Sequence, residues 1–280
     1  MKVSILLCVY NAERYIAQAI ESAINQTFKD YELIIVDDGS SDETLAICRT
    51  FSDNRIIILK RRHGYISSLN AGLRKCQGEY VARMDADDIM EPERLGIQVK
   101  LMDSSPDITV CSSWARTFGE KEILVGNYVS GKVGNITHQF LTGNFIVHPS
   151  AMIRRSFLVN NRISYKNYAY AEDFKLWTDI ARKGGSFYVI PQPLIRYRIS
   201  KGQITHIHFR EQEDTRVAIQ QEIIEDELRH IPSIYEEAAK RLYEELLAAY
   251  QRGLLTADHV IKSMSYMFDN LLRNTQIDSK

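Results

Sequence analysis

Apolar runs and amphipathic stretches alternate along the first 112 residues of the chain. Residues 3–9 are nearly all apolar, which predicts a strand buried on both faces, and apolar residues recur at helical spacing over 15–24. The same pattern predicts strands at 32–36, 55–59, 80–84 and 108–112, with helices at 66–75 and 92–102. Because the alternation decays after five units, it predicts an α/β fold with an open parallel sheet rather than an eightfold barrel.

The second half is less regular and ends in helices. Residues 119–149 carry five glycines and only short β-like runs. A helix predicted at 172–183 ends before Gly184, a residue suited to a helix stop. Three further helical patterns follow, at about 210–229, 233–251 and 256–273.

Capping residues refine three of the predicted helix starts. Ser40 with Glu43, and Ser233 with Glu236, have the spacing of capping boxes. Thr256 is predicted to cap the last helix.

Composition narrows the class of protein. The chain has 280 residues, 45% hydrophobic and 25% charged, which is ordinary globular composition. Its formal net charge of -1 gives no general electrostatic case for nucleic-acid binding. The four cysteines lie far apart without a Cys-x-x-Cys pair, so neither a zinc site nor a disulfide framework is predicted.

The expected location follows from these thiols and from the absence of a targeting signal. Reduced cysteines, no signal peptide and no apolar stretch of membrane-spanning length predict a cytoplasmic protein. Peripheral association with the inner face of the membrane stays open. The segment 210–280 holds 9 basic and 14 acidic residues, so its helices are expected to pack on the α/β domain or on a second subunit of a homo-oligomer, rather than on an anionic bilayer.

Polar side chains follow the predicted strands, at the edge where open α/β sheets bind ligands. Two of these strand ends are rich in carboxylates and a third is basic, which indicates a site for a cation and an anionic ligand. The four ends are Tyr10-Asn11, Asp37-Asp38-Gly39, Arg61-Arg62-His63-Gly64 and Asp85-Ala86-Asp87-Asp88.

The last of these ends is the most specific local pattern. In extended chain Arg83, Asp85 and Asp87 point to one side, and grouped carboxylates suit Mg²⁺ or Mn²⁺ together with substrate phosphates. A solvated acidic loop that caps the next helix is the alternative. Asp37 and Asp38 face opposite ways on extended chain, so only one can offer a carboxylate to the imide N–H of a base such as uracil.

Two common nucleotide motifs are excluded. No glycine follows the first strand, so a dinucleotide-binding fingerprint is absent. Residues 126–132 have P-loop spacing, but Val133 replaces the hydroxyl that would bind Mg²⁺.

Four segments in order, however, resemble a known family: VSILLCVYNAERYIAQAIESAINQTFKDYELIIVDDGSSDETLAI, HGYISSLNAGL, GEYVARMDADD and AEDFKLW. Together they are similar to family 2 of the inverting glycosyltransferases, which have the GT-A fold and include bacterial enzymes of surface polysaccharide synthesis. The resemblance covers residues 1–200. It implies a GT-A domain over 1–207, with a nucleotide-binding half at 1–115 and an acceptor half at 116–207, followed by a C-terminal helical region at 208–280.

The resemblance also implies roles for individual residues. Asp38 would read the base and Asp37 would support its loop, Asp87 would bind Mn²⁺ or Mg²⁺, and Asp173 would be the catalytic base. An N-cap is the alternative role for Asp173. The nucleotide-sugar contacts that it implies are Val9, Tyr10, Asn11, Asp37, Asp38, Gly64, Asn70, Arg83, Asp85, Ala86 and Asp88.

The expected activity is therefore transfer of a sugar from a nucleotide-diphosphate donor, with UDP favoured, to a hydroxyl of a glycan or lipid-linked acceptor. Two other functions were considered: a catalytically idle nucleotide-sugar binder, which should lack Asp173, and a metal-binding receiver-like signalling domain. The latter needs a lysine at the end of the fifth strand, where Cys111-Ser112-Ser113-Trp114 stands instead.

For several other polar residues the sequence leaves more than one role open. His206 and His208 would share one face of a strand and could reach a metal. Arg198 is expected either near the diphosphate or on a solvated edge strand. Asn144 and His148 lie in the irregular segment where this fold builds its acceptor side, with core packing or a turn as the alternative.

Overall fold

The computed structural model describes residues 1–126, 128–200 and 207–277. Its first half alternates strands and helices as the hydrophobic pattern predicts. The fifth predicted strand is longer than expected, and the helix predicted from 92 begins two residues later. The elements are β1 (Val3–Val9), α1 (Ile16–Ile24), β2 (Tyr31–Asp37), α2 (Thr44–Thr50), β3 (Ile56–Lys60), α3 (Tyr65–Lys75), β4 (Tyr80–Asp85), β5 (Ile89–Met90), α4 (Arg94–Ser104) and β6 (Val110–Gly119).

The second half has shorter elements and then the three long helices. These are β7 (Leu124–Val125), β8 (Gly131–Lys132), α5 (Ile136–Thr142), a 3-10 turn (His148–Ser150), β9 (Met152–Arg154), α6 (Arg155–Asn160), α7 (Glu172–Arg182), β10 (Phe187–Ile199), α8 (Phe209–Leu228), α9 (Ser233–Gln251) and α10 (Ala257–Ile277). The predicted helix stop is confirmed, because Gly184 adopts φ +79° just after α7. Within the described ranges, no helix is both long enough and apolar enough to cross a membrane.

One mixed sheet joins the ten strands of the described residues. Its main order is β3-β2-β1-β4-β9-β6-β10-β5, with β7 on β6 and β8 on β10. The first four neighbours, β3 to β4, are parallel as predicted. The fifth predicted strand, β6, does not continue this block, because the antiparallel β9 lies between β4 and β6. A strand of three residues is too short to show a period, so the sequence pattern did not reveal it.

Side chains alternate across the parallel strands, so the sheet separates two apolar layers. Leu6 and Cys8 of β1 face the layer that contains Trp177, whereas Leu7 and Val9 face the layer that contains α1 and α4. The parallel block is thus covered on both faces, as its continuous apolar runs predict. All four cysteines are free and buried.

The capping box predicted at Ser40 is wrong. The helix α2 begins at Thr44, and the Oδ1 atom of Asp42 accepts the Thr44 N–H at 3.1 Å. Ser40 instead accepts the backbone N–H of Asn11 through its Oγ at 3.0 Å. A loop contact across the chain therefore takes the hydroxyl that local spacing assigned to the helix.

Of the capping predictions for the two later helices, one is wrong and one is confirmed. α9 begins at Ser233 with Pro232 in the N-cap position, and no side chain caps it. The start is therefore right and the capping box wrong. Thr256 does cap α10, because its Oγ1 accepts the His259 N–H at 3.3 Å.

The three C-terminal helices pack against the α/β part. Gln220 of α8 donates to the Leu141 carbonyl at the end of α5 at 2.8 Å, and Glu222 lies 2.5 Å from the ammonium of Lys175 in α7. Their apolar side chains enter the same buried cluster as Trp177: Ile219, Ile223, Ile224, Leu228, Ala239, Tyr243, Val260, Ile261, Met264 and Phe268. Within the described residues, the helices therefore share one core with the α/β part. Self-association through these helices stays a prediction.

Candidate active site

A cleft of about 1440 Å³ opens beyond the carboxyl ends of the parallel strands. Single small-molecule pockets usually enclose about 300–1,000 Å³, so this cleft has room for more than one ligand. Eight of the predicted site residues line it: Val9, Tyr10, Asn11, Asp38, Asp85, Ala86, Asp87 and Asp173. The other five, Asp37, Gly64, Asn70, Arg83 and Asp88, are not in its wall.

Asp38 lies at the end of the cleft formed by β1 and β2. Its Oδ1 accepts hydrogen bonds from the Gly64 N–H at 2.9 Å and from the Ser68 hydroxyl at 2.5 Å. Its Oδ2 lies 3.1 Å from the Nδ1 atom of His63 but has no hydrogen bond of good geometry, although it is buried. The His63 ring in turn packs on Tyr10 with 4.3 Å between ring centroids. Asp38 therefore fixes the 61–64 loop with one oxygen and keeps the other unsatisfied.

Asp37 supports the adjacent loop. It is fully buried, and its Oδ1 accepts the Ser40 N–H at 3.1 Å. Gly39 adopts φ +82° between them, and a Cβ there would come within 3.0 Å of the His63 nitrogen. The close approach of two loops thus requires glycine at this position.

Arg83 holds the carboxylate of Asp85 in position. Its guanidinium is 1% exposed and donates to Oδ1 of Asp85 at 2.7 Å and to the Tyr65 hydroxyl at 3.0 Å. It also donates to the carbonyl of Met84. A buried cation that holds Asp85 in place is therefore a positioning group, and the prediction that it touches the donor has no support in this geometry.

The two carboxylates after Asp85 have different surroundings. Burial and the nearby charge of Asp85 raise the pKa of Asp87 to about 6, and Asp87 lines the cleft. The same causes raise the pKa of Asp88, which faces away and accepts the Arg198 backbone N–H at 2.8 Å. Arg198 donates to the Asp87 carbonyl at 2.8 Å and to Gln18 at 2.8 Å. The arginine therefore braces the acidic loop against β10.

Asp173 enters the cleft from the first turn of α7. Its Oδ2 accepts a hydrogen bond from the Asn144 amide at 3.0 Å, and its Oδ1 accepts the Phe174 N–H at 2.6 Å. Burial raises the pKa of Asp173 to about 6 and, together with the charge of Asp173, that of Glu172 to about 7. Ala171 occupies the N-cap position, so the N-cap alternative for Asp173 is wrong.

A buried group of polar side chains forms the floor behind Asp173. The Nε2 atom of His148 lies 3.1 Å from the Tyr165 hydroxyl, and burial together with the charge of Arg83 holds the pKa of His148 well below its usual range. Asn70 pairs with both backbone groups of Tyr165, at 2.9 Å each. Asn70 is therefore a brace between α3 and the 161–171 segment rather than part of the cleft wall.

The helical region contributes to the cleft wall. Gln212 of α8 lines the cleft and donates to the Tyr170 carbonyl at 2.8 Å, and the Tyr170 ring stacks on His208 at 4.1 Å. His208 precedes a helix rather than lying on a strand, which contradicts the predicted shared face. His206 lies outside the described residues. The described part of the chain holds no group of three His, Cys, Asp or Glu residues arranged around a metal.

Several side chains that complete the site have no clear signal in the sequence. For Asn144 and His148 the sequence left two roles open, in the acceptor side or in packing or a turn. No local pattern indicated their hydrogen-bond partners. Tyr65 lies inside a quoted motif, yet its contact with Arg83 depends on how α3 packs over the sheet, next to β1 and β2. Gln212 lies in a segment that had no recognised motif.

The chain is similar to proteins of a known family. The model of the family described as glycosyl transferase family 2 matches residues 4–160. A protein of Haemophilus influenzae named as an uncharacterized glycosyltransferase is 36% identical over 238 residues, covering 79% of this chain and 73% of the relative. The amylovoran biosynthesis glycosyltransferase AmsE of Erwinia amylovora is 32% identical over 209 residues, covering 72% of this chain and 77% of AmsE.

Solved structures share the fold. S. aureus TarS 1-349 in complex with UDP-GlcNAc has a TM-score of 0.69 at 19% identity, covering 90% of this chain and 73% of that one. The mannosyltransferase PcManGT of Pyrobaculum calidifontis, in complex with GDP-Man and Mn²⁺, has a TM-score of 0.58 at 16% identity, covering 100% and 88%. At these identities the likeness shows the fold, which is the GT-A fold with added C-terminal helices. The family model matches more than half of the sequence, and this chain therefore belongs to glycosyl transferase family 2.

Proposed function

We propose that this glycosyltransferase moves a sugar from a UDP-sugar donor to an acceptor hydroxyl with inversion at the anomeric carbon. One observation carries the proposal. Asp85 and Asp87 at the end of β4 and Asp173 at the start of α7 come from different halves of the chain and line the same cleft. Carboxylates that can hold a diphosphate through a cation are thereby brought to one site with a carboxylate that can remove a proton.

The donor is assigned from the end of the cleft near β1. Tyr10 is half exposed there and offers a ring on which a base can stack. The Oδ2 of Asp38 has no hydrogen bond and would accept an imide N–H in place of its 3.1 Å contact with His63. Uracil carries such an N–H. That the structural neighbour TarS was solved with UDP-GlcNAc supports the same assignment.

A divalent cation fits the acidic loop. Asp87 is half-buried beside Asp85, and a bound cation would offset both the burial and the repulsion by Asp85 that raise its pKa. Mg²⁺ and Mn²⁺ are held by one or two carboxylates together with substrate phosphates, so no closed protein cage is needed. Asp87 would hold the cation with the donor diphosphate, with Asp85 adjacent. Such a cation stabilises the negative charge of a leaving diphosphate. The Mn²⁺ complex of the structural neighbour PcManGT is in keeping with this choice.

The base is assigned to Asp173. Its carboxylate would take the proton of the acceptor hydroxyl as that oxygen bonds to the anomeric carbon and the bond to the diphosphate oxygen breaks. A pKa of about 6 leaves the group mostly ionised at neutral pH and more basic than an exposed aspartate. Asn144 holds the carboxylate and favours its charged form.

The acceptor is proposed to be a glycan or a lipid-linked glycan of surface polysaccharide synthesis. The relative AmsE is named for amylovoran biosynthesis, which supports this class. The volume of the cleft leaves room for an acceptor end beside the donor. Four free, buried cysteines fit a reducing compartment and hence the cytoplasmic side of the membrane.

The two other functions account less well for the site. Membership of the family removes the receiver-like signalling domain. An idle nucleotide-sugar binder has no need of a carboxylate facing the reaction site, yet Asp173 lines the cleft together with Glu172.

A donor screen tests the proposal. Purified protein is incubated with UDP-, GDP- and TDP-sugars, with Mn²⁺ or with chelator, and release of the free nucleotide is measured. We expect release from one or more UDP-sugars in the presence of Mn²⁺ and much less after chelation. Turnover confined to GDP- or TDP-sugars would exclude the UDP assignment, and equal turnover in chelator would exclude the cation.

A further inference from the structure

A basic groove of about 480 Å³ lies at the outer edge of the sheet, and the 61–64 loop borders both it and the cleft. It is formed by the edge strand β3, the start of the following loop and the end of α3. Its lining residues are Ile58, Leu59, Lys60, Arg61, Ala71, Arg74 and Lys75. We define the basic groove by these residues.

This surface carries only positive charge. Residues 60–75 contain five lysines and arginines and no aspartate or glutamate, in a chain whose net charge is -1; four of them line the basic groove and the fifth, Arg62, follows Arg61 in the loop. All five side chains are exposed, and none has an ion pair or side-chain hydrogen bond with a described residue. Other exposed lysines of this protein do pair, as Lys132 does with Asp107 and Lys240 with Glu236.

The fold explains only part of this pattern. Cations at the end of a helix favour its dipole, which accounts for Arg74 and Lys75. A lysine on an edge strand discourages pairing with another chain, which accounts for Lys60. Neither reason covers Arg61 and Arg62 in the loop, and five unpaired like charges repel one another. Folding therefore does not require this charge.

We propose that the basic groove docks the protein on an anionic bilayer surface. Its cations lie on exposed, flexible side chains rather than converging in an enclosed pocket, so they suit a field of headgroups rather than one small anion. Half-buried Ile58 and Leu59 provide an apolar floor between them. Basic residues near an anionic membrane each contribute about 1 kcal/mol of attraction.

This orientation bears on the cleft. The Arg61 N–H donates to the Asp37 carbonyl at 2.8 Å, and His63 of the same loop lines the cleft. A bilayer at the basic groove is therefore next to the nucleotide end of the cleft, where a lipid-linked acceptor would be within reach. The docking itself does not rest on the proposed reaction, because it is measured without donor or acceptor.

Vesicle sedimentation of the full chain tests the proposal. The vesicles contain phosphatidylcholine alone or mixed with phosphatidylglycerol. We expect binding to the anionic vesicles only, weakened by added salt. The double variants Lys60→Glu/Arg61→Glu and Arg74→Glu/Lys75→Glu should each lose roughly 25-fold or more, which is two basic residues at about 1 kcal/mol each. The control Arg252→Glu/Lys262→Glu makes the same change of net charge on exposed sites of the C-terminal helices and should bind like the wild type.

Three results would overturn the proposal: no binding of the wild type to anionic vesicles, an equal loss in the control variant, or binding to soluble dextran sulfate without binding to vesicles. The last result would indicate a polyanionic glycan as the partner. Thermal unfolding of each variant checks the fold, and glutamine replaces glutamate wherever a variant is less stable.

Discussion

The side-chain amide of Asn144 donates a hydrogen bond to the Oδ2 atom of Asp173 at 3.0 Å. The Oδ1 atom of Asn144 accepts the Ile146 N–H at 3.1 Å, so the amide is itself fixed by the loop after α5. Two opposing effects therefore act on the pKa of the Asp173 carboxylate. Burial raises the pKa of Asp173, whereas the hydrogen bond from Asn144 favours the charged form and limits the rise.

The first prediction concerns Asn144→Ala. Removal of the donor should raise the pKa of Asp173 above about 6, so the acidic limb of the transfer rate against pH should move to higher pH. Activity depends on the ionised base, so it is lost as the pH falls through this pKa and retained above it. The measurement is kcat from pH 5 to 8 with saturating donor, a range that covers the wild-type pKa of about 6 and a shift to higher pH.

The matched control is Asn161→Ala, because Asn161 also donates to one acceptor, the Phe157 carbonyl, but away from the cleft. An unchanged acidic limb in Asn144→Ala, or an equal shift in Asn161→Ala, would contradict the role given to Asn144.

A second prediction concerns the base itself. Asp173→Asn keeps the shape of the side chain and removes its basicity, so transfer should fall by roughly 10²–10⁴-fold while UDP affinity changes little. Glu172→Gln should cost less: Glu172 also lines the cleft, but its pKa of about 7 leaves more of it protonated at neutral pH than Asp173. Both variants need an acceptor assay, since hydrolysis by water does not depend on the same proton transfer. Near wild-type transfer by Asp173→Asn would remove this residue from the mechanism.

The third prediction concerns the cation. Asp87→Asn removes one anionic ligand and should abolish the part of UDP binding that depends on Mn²⁺, leaving the affinity measured in chelator unchanged. Calorimetric titration of UDP with and without Mn²⁺ provides the comparison. Asp107→Asn is the control, because Asp107 is exposed and pairs with Lys132 outside the cleft. If Asp87→Asn kept the full Mn²⁺ dependence, the metal assignment would have to move to another residue.

A fourth prediction concerns the shared core. Ile223 of α8 is 1% exposed in the cluster that also holds Trp177, whereas Ile234 of α9 is 80% exposed. Ile223→Ala should lower the free energy of unfolding by about 2–5 kcal/mol, since it leaves a cavity in the core. Ile234→Ala should change it by less than about 0.5 kcal/mol. Urea unfolding followed by tryptophan fluorescence and by circular dichroism should give one common transition. Two separate transitions would show that the helices fold independently of the α/β part.

The sequence by itself determined the elements whose signal is local. The strands β1 to β4 and the helices between them were predicted within one or two residues, except for the start of α2, because each has a continuous apolar run or a helical period. The C-terminal helices were predicted as closely for the same reason, except that α10 extends four residues beyond its predicted end at 273. Asp38, Asp85, Asp87 and Asp173 were identified through ordered motifs, and all four line the cleft.

Only the tertiary structure decided how distant segments complete these elements. The insertion of β9 between β4 and β6, the amide of Asn144 on Asp173, the brace between Asn70 and Tyr165, and Gln212 in the cleft wall all join residues far apart in the chain. Periodicity reports which side of an element is buried, and not which other element covers it. Single hydrogen bonds between loops leave no periodic trace, so the partners of these side chains became visible only once the sheet and its helices were assembled.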